Sequence, residues 1–233
     1  MHFHLPKPLH GWREFVGEVA IIVMGILIAL GAEELVQQHH WAEQVREARE
    51  SMDEQLAGAK FNSLERIQYA DCIARRLDRL DQLIEAPELP PLPSFRPAGL
   101  REWSTSTWDA ASSSGVAAHL DPATRNLYAG AFGFADLIGQ MNRDEFKLWA
   151  DLGTAQTHRR LDPVSRDRLA RDIASARALN NMIKLGSQQW LEGTKALNLE
   201  LDAESKVALR EPITCSLPDE VPPTKAVSAP AAP

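Results

Sequence analysis

Twelve consecutive apolar residues, Val19 to Leu30, limit more than any other feature what this chain can fold into. Phe15 to Ala32 is apolar apart from Glu18. As one helix that stretch covers about 27 Å, close to the hydrocarbon thickness of a bilayer. Trp12 and Trp41 flank it and would lie about 43 Å apart on a single helix, near the full bilayer depth with headgroups. Both tryptophans are therefore expected at membrane interfaces, with the lipid bilayer as the first partner. A cleaved secretory signal is the competing reading, because Ala29-Leu30-Gly31 places small residues at a cleavage-like spacing. The acidic Glu14 and Glu18 beside Lys7 and Arg13 deny the segment the positive leader such signals use, which favours an uncleaved anchor.

Lys7 and Arg13 precede the run, whereas the next basic residues, Arg46 and Arg49, lie well beyond it. The positive-inside tendency then puts the N-terminus in the cytoplasm and the rest in the periplasm, across a bacterial inner membrane. The chain divides into a short N-terminal segment (1–13), a transmembrane helix (14–36), a stalk and first bundle helix (37–86), a proline-rich connector (87–99), further helices (100–210) and a Pro/Ala-rich tail (211–233) expected to be disordered at its end.

Beyond the membrane the pattern is helical throughout. No glycine or proline interrupts Glu33 to Leu56, so the membrane helix is expected to run on into water. A stripe then reads Val45, Ala48, Met52, Leu56, Ala59, Ser63, Ile67, Ala70, Ile73, Leu77, Leu80 and Ile84, in the three- and four-residue steps of a coiled-coil-like seam. Pro87 stops it. Trp103 to Gly115 reads as a short helix ended by glycine, with a turn into Val116–Leu120. Asp121-Pro122 and Asp162-Pro163 both carry the start signal of a capping residue followed by proline. One face of the helix after Asp121 is expected at Leu127, Ala131, Phe134, Ile138, Met141, Leu148 and Leu152. The helix after Asp162 should bury Leu169, Ile173, Ala176, Ile183, Trp190 and Leu197. Three helices of similar length, the last two joined by a short connection, predict an all-α fold, a membrane stalk feeding an antiparallel helical bundle.

Gly11, Glu18, Gly25 and Ala32 recur every seven residues, with Glu14 and Ala29 nearby. Small residues on one face allow another helix to approach closely, and a carboxylate in hydrocarbon is costly unless it finds a partner. These six positions are the expected contact with other transmembrane helices, of a second copy of the chain or of a larger complex. The alternatives for Glu18 are headgroup-level solvation and ion coupling. Gly25 and Met52 are separated by 27 residues, about seven and a half turns, so the small-residue face and the apolar stripe point in roughly opposite directions on a straight helix.

Other constellations are weaker. With a formal charge of −7 and no dense basic cluster, the chain is not expected to bind nucleic acid. His2, His4 and His10 precede the span and His39 and His40 follow it, so neither group supplies a metal's ligands. Asp109, Ser112–Ser114 and His119 suggest a hydrolase triad only superficially, because no nucleophile elbow accompanies them. Asn180, Ser187 and Thr194, spaced by seven, line a ligand pocket or form a polar layer that fixes helix register. Cys72 and Cys215 would form a disulfide in an oxidising compartment and remain thiols in a reducing one.

Gly17-Glu18, the Gly25–Leu30 block Gly-Ile-Leu-Ile-Ala-Leu and a downstream tryptophan resemble a bacterial family of single-pass membrane proteins. Thr107-Trp108-Asp109-Ala110, Ser114-Gly115 and the Arg125–Tyr128 helix start resemble that family's second block. The resemblance implies a membrane anchor with a helical extramembrane domain, and transfers no activity and no catalytic residue. The expected function is accordingly non-enzymatic and cofactor-free: protein contacts made as a homo-oligomer or as an accessory subunit of a membrane complex. The alternative is a periplasmic helical-bundle ligand sensor, against which stands the short segment before the span, too small for an output domain.

Overall fold

A computed structural model describes residues 11–97 and 99–221; the side chains of Arg13 and Glu14 lie outside the description, as do His2, His4, Lys7 and His10. Among the described residues every regular element is helical. Helix α1 is a single run, Trp12–Ile84, of 73 residues. It is followed by α2 (Ser106–Ser113), a 3₁₀ turn (Val116–His119), α3 (Pro122–Leu152), α4 (Pro163–Gly193) and α5 (Ala203–Ala208). The short helix after the connector is thus narrower than the expected Trp103–Gly115, and α5 was not foreseen at all. Gly115 sits at φ 83°, a left-handed conformation that costs glycine little, where α2 gives way to the 3₁₀ turn.

Both aspartate–proline starts form as their local chemistry dictates. The Asp121 carboxylate accepts from the Thr124 amide, and that of Asp162 from the Val164 and Ser165 amides. Each satisfies amides that the first turn leaves without a helical partner, while proline occupies a position that needs no donor. The helices they start, α3 and α4, are both 31 residues long. At the other end of α1, Arg166 donates to the Glu85 and Ala86 carbonyls, placing a cation against the helix C-terminus.

Helix α4 is the hub, packing against both α1 and α3. Lys184 pairs with Asp71 and Arg177 with Asp78, so residue numbers rise along α1 as they fall along α4. Two apolar cores result. The first holds Met52, Leu56, Trp103, Tyr128, Phe132, Ile138, Ile183 and Trp190. The second holds Ile73, Leu77, Leu80, Ile84, Leu89, Trp149, Leu152, Leu169 and Ile173. Between them, on each long helix, falls a buried polar position: Ser63 and Arg66 on α1, Asn142 and Glu145 on α3, Asn180 on α4.

Two stripes differ from expectation. On α1 the buried residue at the middle is Arg66, with Ile67 only partly covered. On α3 the buried face is Tyr128, Ala131, Phe132, Ala135, Ile138, Gly139, Asn142, Glu145, Trp149 and Leu152. Phe134 and Met141 pack at its margin rather than on it. The physical reason is that two cores and an ion pair meet α3, so its buried arc is wider than one apolar stripe. On α4 the expected residues are buried through Trp190, but the helix stops at Gly193 and Leu197 falls in a 3₁₀ turn.

The N-terminal part of α1 is long and apolar enough to cross a membrane, and no residue of its apolar window is buried within the chain. Nothing lies within 4 Å of a Cβ built on Gly17, Gly25 or Gly31.

Candidate functional site

A concavity with converging charged side chains lies away from the apolar window of α1. It is a cleft of about 480 Å³ where α1, the proline-rich connector and the tail converge. Three segments of different character build it. Helix α1 presents Glu65, Arg66, Tyr69, Cys72, Ile73 and Arg76 in steps of three and four, one helical face. Connector residues Ser94, Arg96 and Pro97 close a second side. Thr214 and Ser216 of the tail close a third, fastened by the disulfide between Cys72 and Cys215.

The connector and tail hold their places through specific bonds. Asn142, fully buried, accepts from the Arg101 amide (2.8 Å) and donates to the Gly99 carbonyl (3.3 Å). The Ser94 amide donates to the Pro218 carbonyl (3.1 Å), tying connector to tail. Arg79 donates to both oxygens of Asp219, and that hydrogen-bonded guanidinium holds the Asp219 carboxyl below its usual range.

Four guanidinium groups line the cleft, those of Arg66, Arg76, Arg96 and Arg101. Arg101 is paired with Glu65. Arg66 donates through one nitrogen, Nη2, to both oxygens of Glu145 at 2.7 Å, and both side chains are almost wholly buried. Burial pushes the Glu145 carboxyl up and the Arg66 guanidinium down, each opposed by the charge of the other. Arg76 has no carboxylate partner among the described residues. Its Nη2 donates to the Ser94 and Arg96 carbonyls, and its guanidinium carbon lies 5.3 Å from the centre of the Trp149 ring. Desolvation, aided by the charge of Arg96, pulls Arg76 down to about 10. The buried Nε of Arg76, Nε and Nη1 of Arg66 and Oγ of Ser94 have no hydrogen-bond partner.

The residues singled out from sequence lie elsewhere, apart from the cysteines. Gly11, at the N-cap of α1, and Glu18, Gly25, Ala29 and Ala32 along it are exposed, while the side chain of Glu14 lies outside the description. Trp12 is exposed beside Phe15. Trp41 stacks on His119, ring centres 3.9 Å apart, at the point where α1 first meets the remaining helices. Ser113 and Ser114 donate to carbonyls of their own turn. Among the described residues no three His, Cys, Asp or Glu side chains converge as metal ligands.

Asn180, Ser187 and Thr194 are buried but do not line this cleft. Asn180 donates to the Ala70 carbonyl of α1 (3.0 Å), which fixes register between the helices. The Thr107–Ala110 block docks α2 on its neighbours: Thr107 binds Gln55 through amide and hydroxyl, and Trp108 stacks on Phe132. The arginine cleft itself was not foreseen. Its sequence signals are the helical spacing of Arg66, Tyr69, Ile73 and Arg76, of which only Ile73 belongs to the apolar stripe, and Cys72 beside them.

Comparison with protein-family models, with curated proteins and with solved structures finds no match.

Proposed function

We propose that the chain is a single-pass protein of a bacterial inner membrane, its N-terminus cytoplasmic and its antiparallel helical bundle periplasmic, that works by protein contacts. It acts as a homo-oligomer or as an accessory subunit of a larger membrane complex, without catalysis. The observation that carries this reading is the complete exposure of the apolar half of α1. Its small-residue face at Gly25 lies about half a turn away from the direction of Met52, which is fully buried in the bundle. A bundle contact cannot use that face, and lipid alone gives no reason for a carboxylate at Glu18 on the same heptad. The Cys72–Cys215 disulfide suits an oxidising compartment and so supports the orientation.

The test is mild-detergent purification from the native host followed by native mass spectrometry. The wild-type chain is expected to migrate in a defined assembly. Gly25→Leu, which crowds the face, and Glu18→Leu, which removes the polar contact, should both shift it towards monomer, while Glu18→Gln retains part of the assembly. Recovery of wild type as a free monomer would overturn the reading.

A further inference from the structure

Ligand binding, the alternative to assembly, has an observation of its own in the cleft; only the source of the ligand is argued from the membrane anchoring proposed above. We propose that the cleft formed by Arg66, Arg76, Ser94, Arg96 and the tail is a binding site for a small organic oxyanion, a carboxylate or phosphate group carried on a partly apolar body.

The charge balance points to an anion. Four arginines line the cleft, and the carboxylates paired with them are Glu65 and Glu145, leaving two guanidinium charges uncompensated, those of Arg76 and Arg96. Arg76 is more than nine-tenths buried. A buried cation without a counter-charge is costly, and carbonyl and ring contacts offset only part of that cost. An oxyanion between Arg76 and Arg96 would supply the missing charge.

Hydrogen-bonding capacity points the same way. Arg76 and Ser94 are wall residues on opposite segments, and each keeps a buried polar atom, Nε and Oγ respectively, without a partner. Buried polar groups are ordinarily paired, so these two orphans mark a wall whose own hydrogen bonding is incomplete. Guanidinium groups bind carboxylate and phosphate oxygens through charge-assisted and often bidentate bonds. Ile73, Pro97 and the ring of Tyr69 supply apolar wall for the rest of the molecule. A volume of about 480 Å³ falls within the range of small-molecule sites.

Position decides the source of the anion. Arg76 lies 40 residues beyond Val36 on one unbroken helix, about 60 Å of rise. A phospholipid headgroup of the anchoring membrane is out of reach, so the ligand is a soluble metabolite.

Isothermal titration calorimetry on the full-length protein in detergent micelles, at constant ionic strength in chloride, tests the assignment with inorganic phosphate, succinate and benzoate as probes. Saturable binding of at least one probe is expected; phosphate alone would identify phosphate esters, and either carboxylate would identify organic acids. Arg96 is exposed, so Arg96→Ala should fold normally and bind at least about tenfold more weakly. Arg76→Gln should bind more weakly still, with circular dichroism to verify its fold. Arg177→Gln, which disturbs only the pairs with Asp78 and Asp81 on the outer surface, should bind as wild type. Absence of saturable heat from all three probes, or unchanged affinity in Arg96→Ala, would overturn the proposal. Neither result bears on membrane assembly.

Discussion

One helix, α1, has an apolar part without partners and a packed part, and the contrast between these halves organises the molecule. From Gly17 to Gly31 every residue is exposed, and Gly17, Gly25 and Gly31 have no neighbouring atom to explain them. From Met52 to Ile84 the same helix buries a residue every three or four positions against α3, α4 and the connector. The first half finds no partner within the chain. The second is specified by the chain itself, and to an unusual degree by polar groups. Hydropathy alone would rank the exposed half as the better core. The difference teaches that burial follows from available partners, not from apolarity.

The largest effect expected from breaking the packed half is at its buried ion pair. Glu145→Ala would leave the Arg66 guanidinium in an apolar interior with no counter-charge, a loss of about 3–5 kcal/mol. Urea unfolding followed by tryptophan fluorescence would measure it. The double variant Arg66→Met with Glu145→Leu removes both charges and should recover most of the loss, because desolvation of the pair itself is expensive. Gly25→Leu in the other half should leave the unfolding midpoint of the bundle unchanged, since no atom of the chain lies near that position. Comparable losses at Glu145 and Gly25 would dissolve the distinction between the halves.

The next effect concerns how the tail is held. The Cys72–Cys215 link spans 143 residues, and opening so long a loop typically costs about 2–4 kcal/mol. Cys72→Ala with Cys215→Ala should therefore lower stability by that amount in the packed half while leaving the exposed apolar half untouched. The tail's second fastening, Arg79 to Asp219, responds to pH. Because the folded Asp219 pKa lies below its unfolded value, its contribution is present above the usual carboxylate range and disappears as pH falls through the depressed value. Hydrogen exchange at the Ser94 amide, which pairs with Pro218, should accelerate relative to its intrinsic rate below about pH 4. This should be stronger in the cysteine-free variant.

Legibility in the sequence follows the range of the physics. The helix starts at Asp121 and Asp162 were readable because cap and amide are two or three residues apart. The stripe of α1 was readable wherever its partners are apolar. It failed at Arg66, whose partner is 79 residues away and turns a charged position into an interior one. On α3 the aromatic positions Tyr128, Phe132 and Trp149 were passed over for Leu127, Phe134 and Leu148. Two overlapping stripes satisfy helical spacing there, and only the neighbours decide between them. The cleft was hidden for a related reason. Two of its three walls, the connector and the tail, have no periodicity, and their placement depends on Asn142, on Pro218 and on a disulfide linking distant parts of the chain.

The smallest effects are at the caps, and they sharpen the comparison by separating local from tertiary stability. Asp162 accepts from two amides and Asp121 from one, so Asp162→Ala should cost more than Asp121→Ala, with both near about 1 kcal/mol. Asparagine, which keeps an accepting oxygen, should restore most of either loss. A loss of this size shifts the thermal midpoint of a chain this long by about 2–4 °C, readable by circular dichroism. Helix α4 packs on both α1 and α3, so fraying its start should weaken the whole packed half as a unit. Hydrogen exchange would then rise together along α4 and along α1 beyond Met52, and remain unchanged between Val19 and Leu30. Exchange that rises only in the first turn of α4 would show instead that the caps act locally and that the packed half does not unfold as one cooperative unit.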